Sequence, residues 1–93
     1  MKANKNFKNL EKIMKGAANH WRLKILFLLD EEPGLSLFDI ADKLNGNFKT
    51  ISEHTRKLVQ SDLIQKKYQF KTVLHSVSPL GRRILHFVEN LEV

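Results

Sequence analysis

The stretch Ile40-Ala41-Asp42-Lys43-Leu44-Asn45-Gly46-Asn47-Phe48-Lys49-Thr50-Ile51-Ser52-Glu53-His54 decides how this chain folds. Just ahead of it, Ser36 is followed three residues later by Asp39, the spacing of a capping box. Leu37, Ile40, Ala41 and Leu44 then recur at i, i+3, i+4 and i+7, which predicts a short helix. Asn45-Gly46-Asn47 breaks it. Asn and Gly tolerate the left-handed backbone that ends a helix, and Asn47 suits the N-cap of the next one. From about Phe48 to Ser61 the spacing predicts a second helix with Ile51, Thr55, Leu58 and Val59 inward and Lys49, Thr50, Ser52, Glu53, Arg56 and Lys57 largely outward. Two helices joined by a tight turn result.

Upstream, Leu10, Ile13, Met14, Ala17 and Ala18 place one apolar stripe on a helix from Asn6 to about Asn19, with a Lys-rich opposite face. Trp21, Leu23 and Ile25 to Leu29 are apolar nearly all round and stop at Glu31-Glu32-Pro33-Gly34, which predicts the central, buried helix. Trp21 and Phe27 read as core rather than as the wall of an effector pocket. Downstream, Leu63 to Phe70 and Thr72 to Ser78 read as the two strands of a hairpin with Lys66, Lys67 and Lys71 at or near its tip. No Gly, Asn or Asp lies between Tyr68 and Thr72, so the sequence leaves the turn type open. Pro79 suits the first turn of a last helix lined by Leu80, Ile84, Phe87, Val88 and Leu91. The expected fold is mainly α with a small β-hairpin, in the order ααααββα.

At 93 residues the chain is expected to form one domain over 1–93, too short for two cores and thin enough in apolar surface for a second copy to complete it. With 16 Lys+Arg against 10 Asp+Glu the formal charge is +6 and the pI near 9.8, which points to a polyanionic partner. The charge alternates in blocks: residues 1–29 carry seven basic groups and one acid, residues 30–46 five acids and one Lys, residues 47–74 six basic groups and two acids. Zero cysteines exclude disulfides, thiolate metal sites and thiol catalysis. The longest apolar run, Ile25–Leu29, falls far short of the ~20 residues of a membrane span, and Met1–Lys8 leads into no apolar stretch, so the expected location is the cytoplasm.

The opening stretch resembles the helix-turn-helix pattern I-A-x-x-L-G-x-S-x-x-T-V-S-x-H, with Ala41 small where the helices touch, Asn45 where Gly is usual and Asn47 in place of Ser. The following hairpin makes it a winged helix, its second helix in a major groove and its wing along phosphate or an adjacent minor groove. His20-Trp21-Arg22-Leu23-Lys24-Ile25-Leu26 is similar to the H-P-x-R-x-x-I-L opening of ArsR-type repressors, Ile51 to Leu58 to their V-S-x-H-L-x-x-L, and Asp62-Leu63-Ile64 to their G-L-V. Trp21, Thr55 and Asp62 replace the usual Pro, Leu and Gly, and the wing lacks its Gly.

The resemblance implies a homodimeric repressor on a pseudo-palindromic operator of double-stranded DNA. Its dimer interface would lie on helices at about 6–19 and 79–92, through Leu10, Ile13, Met14, Ala17, Ile84, Phe87, Val88 and Leu91. Lys49, Thr50, Ser52, Glu53 and Arg56 would read or approach bases, and Lys57, Lys66, Lys67 and Lys71 would hold the backbone. Asn47 is an N-cap first and a base contact second; His54, beside the apolar stripe, is expected to be partly buried, hydrogen-bonded and to orient the helix.

Where arsenic and cadmium sensors carry L-C-V-C-D-L, this chain has Leu35-Ser36-Leu37-Phe38-Asp39-Ile40, so that soft-metal site is excluded. His86 and Glu89 form half of a zinc-sensor pattern without its Asp-x-His partner, and no metal or cofactor is assigned. Ser52, Glu53 and His54 are adjacent on one helix and cannot line up as nucleophile, orienter and base, so no enzyme is expected. Non-specific DNA compaction and a protein–protein winged helix are the competing readings. Arg82 and Arg83 suit phosphate, an acidic partner surface or solvent alike, and Phe38 has no assigned role.

Overall fold

A computed structural model describes residues 5–91. Its elements are α1 (Phe7–Ala17), α2 (His20–Glu31), α3 (Leu37–Lys43), α4 (Phe48–Gln60), β1 (Ile64–Gln69), β2 (Thr72–Val77) and α5 (Pro79–Glu89), in the expected order. Every helix starts on an Asn or Ser side chain that accepts a backbone N–H of the first turn: Asn6, Asn19, Ser36, Asn47 and Ser78. Asn19 explains why α1 stops at Ala17 and not at 19. Its side chain accepts from Trp21 and Arg22 N–H, so it opens α2. At the far end, α5 stops at Glu89, Leu91 lies beyond it, and the expected extension to residue 92 falls outside the described residues.

The core sits where all elements meet: Ile25, Leu26 and Leu29 of α2, Ile40 of α3, Ile51 and Leu58 of α4, Leu63, Ile64 and Leu85 are essentially inaccessible. Trp21 and Phe27 pack against it, as expected of core residues. Gly81 has no room for a side chain, because a Cβ would run into the Leu63 carbonyl; α5 therefore lies directly on the backbone leaving α4. Ser78 reinforces that contact, its hydroxyl donating to the Asp62 carbonyl while accepting from Gly81 N–H.

The hairpin is antiparallel, with Ile64 opposite Val77, Lys66 opposite His75, Lys67 opposite Leu74 and Gln69 opposite Thr72. Phe70 and Lys71 alone form the turn. Phe70 has φ 55 and Lys71 does not have a positive φ, the sign pattern of a type II′ turn, which usually has Gly in the first place. Lys71 is thus at the tip, whereas Lys66 and Lys67 lie within β1 and, being consecutive, on opposite faces of the ribbon. At its base the hairpin gains a third partner: Leu35 bridges His75, whose N–H donates to the Leu35 carbonyl at 2.8 Å.

Candidate nucleic-acid interface

The turn between α3 and α4 sets the interface. Asn45 takes φ 52, the left-handed conformation expected of it, and Gly46 N–H returns to the Ala41 carbonyl at 2.9 Å. Asn47 then caps α4 through Lys49 and Thr50 N–H at 2.9 and 3.2 Å. Its oxygen is committed to that cap. Buried Ile51, Thr55 and Leu58 fix the rotation of α4, so the arc of Lys49, Glu53, Arg56 and Lys57 faces solvent, with Thr50 at its edge. Gln60 shares this arc, four residues after Arg56 and seven after Glu53, a placement that the same periodicity could have revealed.

Electrostatics favour the same face. Among the described residues the ion pairs join Lys15 to Glu11, Lys43 to Glu32 and Arg82 to Asp30. The acidic block between 30 and 46 thus pairs with its own Lys43 and with Arg82, one of the two arginines that the sequence left open. Lys49, Arg56, Lys57, Lys66 and Lys71 make no ion pair among the described residues.

Between α4 and the hairpin lies a cleft of about 320 Å³ lined by Leu37, Ser52, Glu53, Thr55, Arg56, Val59, Lys66 and His75. Lys66 therefore flanks α4, while Lys67, on the other face of the ribbon, points away from it. Lys66 and Lys67, both expected to hold the backbone, thus lie on opposite faces of the ribbon. Ser52 is also corrected: its hydroxyl is buried without a partner beside this cleft and is not presented on the outer arc. Thr55, 2% exposed, likewise has an unpartnered hydroxyl.

His54 and His75 are buried to different extents. His54 is half-buried as expected, but its Nδ1 is buried without a hydrogen-bond partner, contrary to the expectation of a bonded ring. Burial, with Arg22 and Lys57 nearby, pushes its pKa below the usual value. His75, which the sequence did not single out, is 2% exposed and its Nδ1 lies 2.9 Å from the Leu35 carbonyl. Burial pushes its pKa down, partly opposed by that hydrogen bond, and Lys66 lowers it further.

The second surface belongs to α1 and α5. Leu10, Met14, Phe87 and Leu91 are 38, 55, 54 and 50% exposed, and Met14, Ala17, Ala18, Leu23, Ile84, Phe87 and Val88 line an apolar groove of about 160 Å³ between the helices. Ala17 is 7% exposed and packs inside the chain's own core, so it forms the groove floor rather than a free contact. Among the described residues no group of three or more His, Cys, Asp or Glu is placed to hold a metal ion, and no helix is long and apolar enough to cross a membrane.

The fold recurs in other proteins. A family model described as winged helix-turn-helix DNA-binding matches residues 20–65, from the start of α2 to the first strand. Among curated proteins none matches the sequence. The homodimeric winged helix-turn-helix DNA-binding domain Mb0332 of Mycobacterium bovis, a possible ArsR-family transcriptional regulator, is 20% identical with a TM-score of 0.80 over 96% of this chain and 87% of that one. HlyU of Vibrio cholerae is 24% identical at TM-score 0.75, covering 92% of this chain and 97% of its own. The transcriptional repressor PagR of Bacillus anthracis is 22% identical at 0.78, covering 88% and 94%. At these identities the likeness speaks for the fold. The fold of this chain is therefore that of a winged helix-turn-helix, and its residues 20–65 match the model of a winged helix-turn-helix DNA-binding family.

Proposed function

We propose that this chain is an ArsR-type transcriptional regulator, a single domain that works in the cytoplasm as a homodimeric repressor on a pseudo-palindromic operator. The observation that carries the reading is the outer arc of α4, where Lys49, Glu53, Arg56 and Lys57 stand exposed and unpaired on a helix whose first turn is capped by Asn47. A helix so oriented enters a major groove, where Arg56 and Lys49 match guanine and Glu53 matches cytosine. Thr50 at the edge of the arc is suited to base or sugar contact. Lys57, Lys66 and Lys71 serve the phosphates; Lys67, facing away, is at most a contact to a bent or neighbouring duplex.

Dimerisation is supported by the exposed apolar strip of Leu10, Met14, Phe87 and Leu91 beside the groove floored by Ala17 and lined by Ile84 and Val88, with Ile13 half-buried against the core on the same helix as Met14. One recognition helix covers only a few base pairs, and two copies related by a two-fold axis supply the missing discrimination. The Mycobacterium bovis relative is homodimeric and PagR is a repressor, which favours both parts of the reading. His86 and Glu89 are both exposed on α5, and no third ligand joins them among the described residues.

The experiment is selection from a random duplex pool, followed by a salt series on the selected duplex and a shuffled one, with stoichiometry at saturation. A preference of ~10³-fold or more with two chains per site supports the proposal. Equal, steeply salt-dependent affinity for both would replace it by non-specific compaction, for which the pI near 9.8 and Lys8, Lys12 and Lys15 on α1 argue. Absence of binding at low salt would leave a protein–protein role.

A further inference from the structure

The wing tip carries a residue that folding does not explain. Phe70 is 98% exposed, the most exposed of the large apolar residues, and it holds φ 55, a conformation unfavourable for a bulky L-residue. Both its exposure and its backbone work against stability, and Gly, Asn or Asp would serve the same turn without either penalty. The surroundings define what could use it. Lys67 and Lys71 flank it within three residues, Tyr68 is 72% exposed, and every residue from Gln65 to Thr72 is exposed, so the tip projects into solvent while β2 packs toward the body only from Val73 onward.

Its reach fits a duplex. From the buried anchor Ile64 to Phe70 the strand spans about 20 Å at ~3.3 Å per residue. The minor groove next to a major groove lies about half a helical turn away, ~17 Å along the axis. A basic ribbon that length with an aromatic at its end meets that groove while α4 occupies its neighbour.

We propose that Phe70 is a wedge that enters the minor groove flanking the site read by α4, partly unstacks a base step there and bends the duplex toward the major groove, with Lys67 and Lys71 holding the phosphates on either side. The wedge rests on the DNA-binding reading above and adds to it a sequence preference that no hydrogen bond supplies. Pyrimidine–purine steps such as TA open at the smallest energetic cost, so a TA or CA step at this distance from the recognised bases would be favoured. The bend also brings Lys67, which faces away from α4 along a straight duplex, into reach of phosphate.

The test uses the full chain on a duplex of about three helical turns, rich in TA steps and labelled at both ends for energy transfer. Wild type should shorten the end-to-end distance on binding. F70G and F70N, which relieve the backbone and remove the wedge, should melt at or above the wild-type temperature, bind about tenfold more weakly and leave the duplex straight. F70L keeps both apolar bulk and backbone strain and should retain most of the bend. A duplex bent equally by F70G and wild type would overturn the wedge while leaving the DNA reading intact. Failure of wild type to bind this duplex at low salt would remove both. Loss of binding in F70G accompanied by a lower melting temperature would mark Phe70 as a structural residue and refute the proposal.

Discussion

Asn45 and Phe70 hold nearly the same backbone angle, φ 52 and 55, in the turn that sets α4 against α3 and in the turn that closes the hairpin. The first turn is built into the body. Its Gly46 packs against Ile51 and Trp21, the helices on both sides bury Ile40 and Ile51, and Asn tolerates the conformation. The second stands outside, at the end of a first strand whose residues from Gln65 to Gln69 are all exposed, and it sets an aromatic in a conformation that Gly would adopt freely. One turn fixes an angle for which the core supplies the energy; the other carries a side chain that the core never sees. The difference separates positions that stability selects from positions it disfavours, and the latter are where binding should be sought.

Truncation of a buried side chain on each side of that divide gives the largest contrast. Ile51→Ala removes a fully inaccessible side chain between α3 and α4 and should lower stability by about 2–5 kcal/mol. Val73→Ala, half-buried in the outer hairpin, should cost less than about 1 kcal/mol. Urea titrations of both variants measure the two values. Equal losses would mean that the outer wing is as integral to folding as the helix pair.

The cap of α4 comes next. Asn47→Ala leaves two N–H groups without their side-chain acceptor and should cost about 1 kcal/mol, while Asn47→Ser should recover most of it. A loss of DNA affinity in Asn47→Ser at unchanged stability would show that Asn47 contacts a base as well.

A smaller, pH-dependent effect tests the hinge between the regions, where β2 meets Leu35. His75 is buried and its folded pKa lies below the ordinary value near 6.5, so folding favours the neutral ring. The contribution is therefore complete above about pH 6.5 and is lost as the pH falls from there toward the folded pKa. The Leu35 hydrogen bond opposes part of the shift. Urea midpoints between pH 5 and 7.5 should fall on the acid side in wild type and be flatter in His75→Gln. A slope unchanged in that variant would transfer the effect to His54, whose pKa is displaced in the same direction.

The same divide governs what the sequence disclosed. Around 36–61 the information is local: apolar spacing gives the helices, Ser36 and Asn47 give their starts, and Asn45 gives the turn, all of which the structure reproduces. The α4 arc followed from the same period, apart from Ser52, whose rotation toward the hairpin depends on a contact that is distant in sequence. The start of α2 was also written in the sequence, since Asn19 is a cap residue, but the apolar stripe of α1 hid it. Other features needed tertiary partners. His75 became a core residue by pairing with Leu35, and Arg82 found Asp30 across 52 positions. The tip was illegible for a different reason. Strand register, with Gln69 opposite Thr72, leaves only Phe70 and Lys71 for the turn, and no propensity of Phe would place it at positive φ.

The smallest effect goes to the origin of the comparison. Replacing either turn residue by Gly exchanges a left-handed penalty for the greater entropy of an unfolded glycine, a term of roughly 0.5–1 kcal/mol against the replacement. For Phe70 the relieved penalty, about 1–2 kcal/mol for an ordinary L-residue, exceeds that entropy, and Phe70→Gly should stabilise by about 0.5–1 kcal/mol. For Asn45 the penalty is smaller, because its short polar side chain tolerates this region, and Asn45→Gly should lie within a few tenths of zero. Paired thermal and urea unfolding resolve the two. Stabilisation at 45 and none at 70 would invert the comparison: the strain would then sit in the body of the fold, and the exposed aromatic would be held by its own strand pairing at no energetic cost.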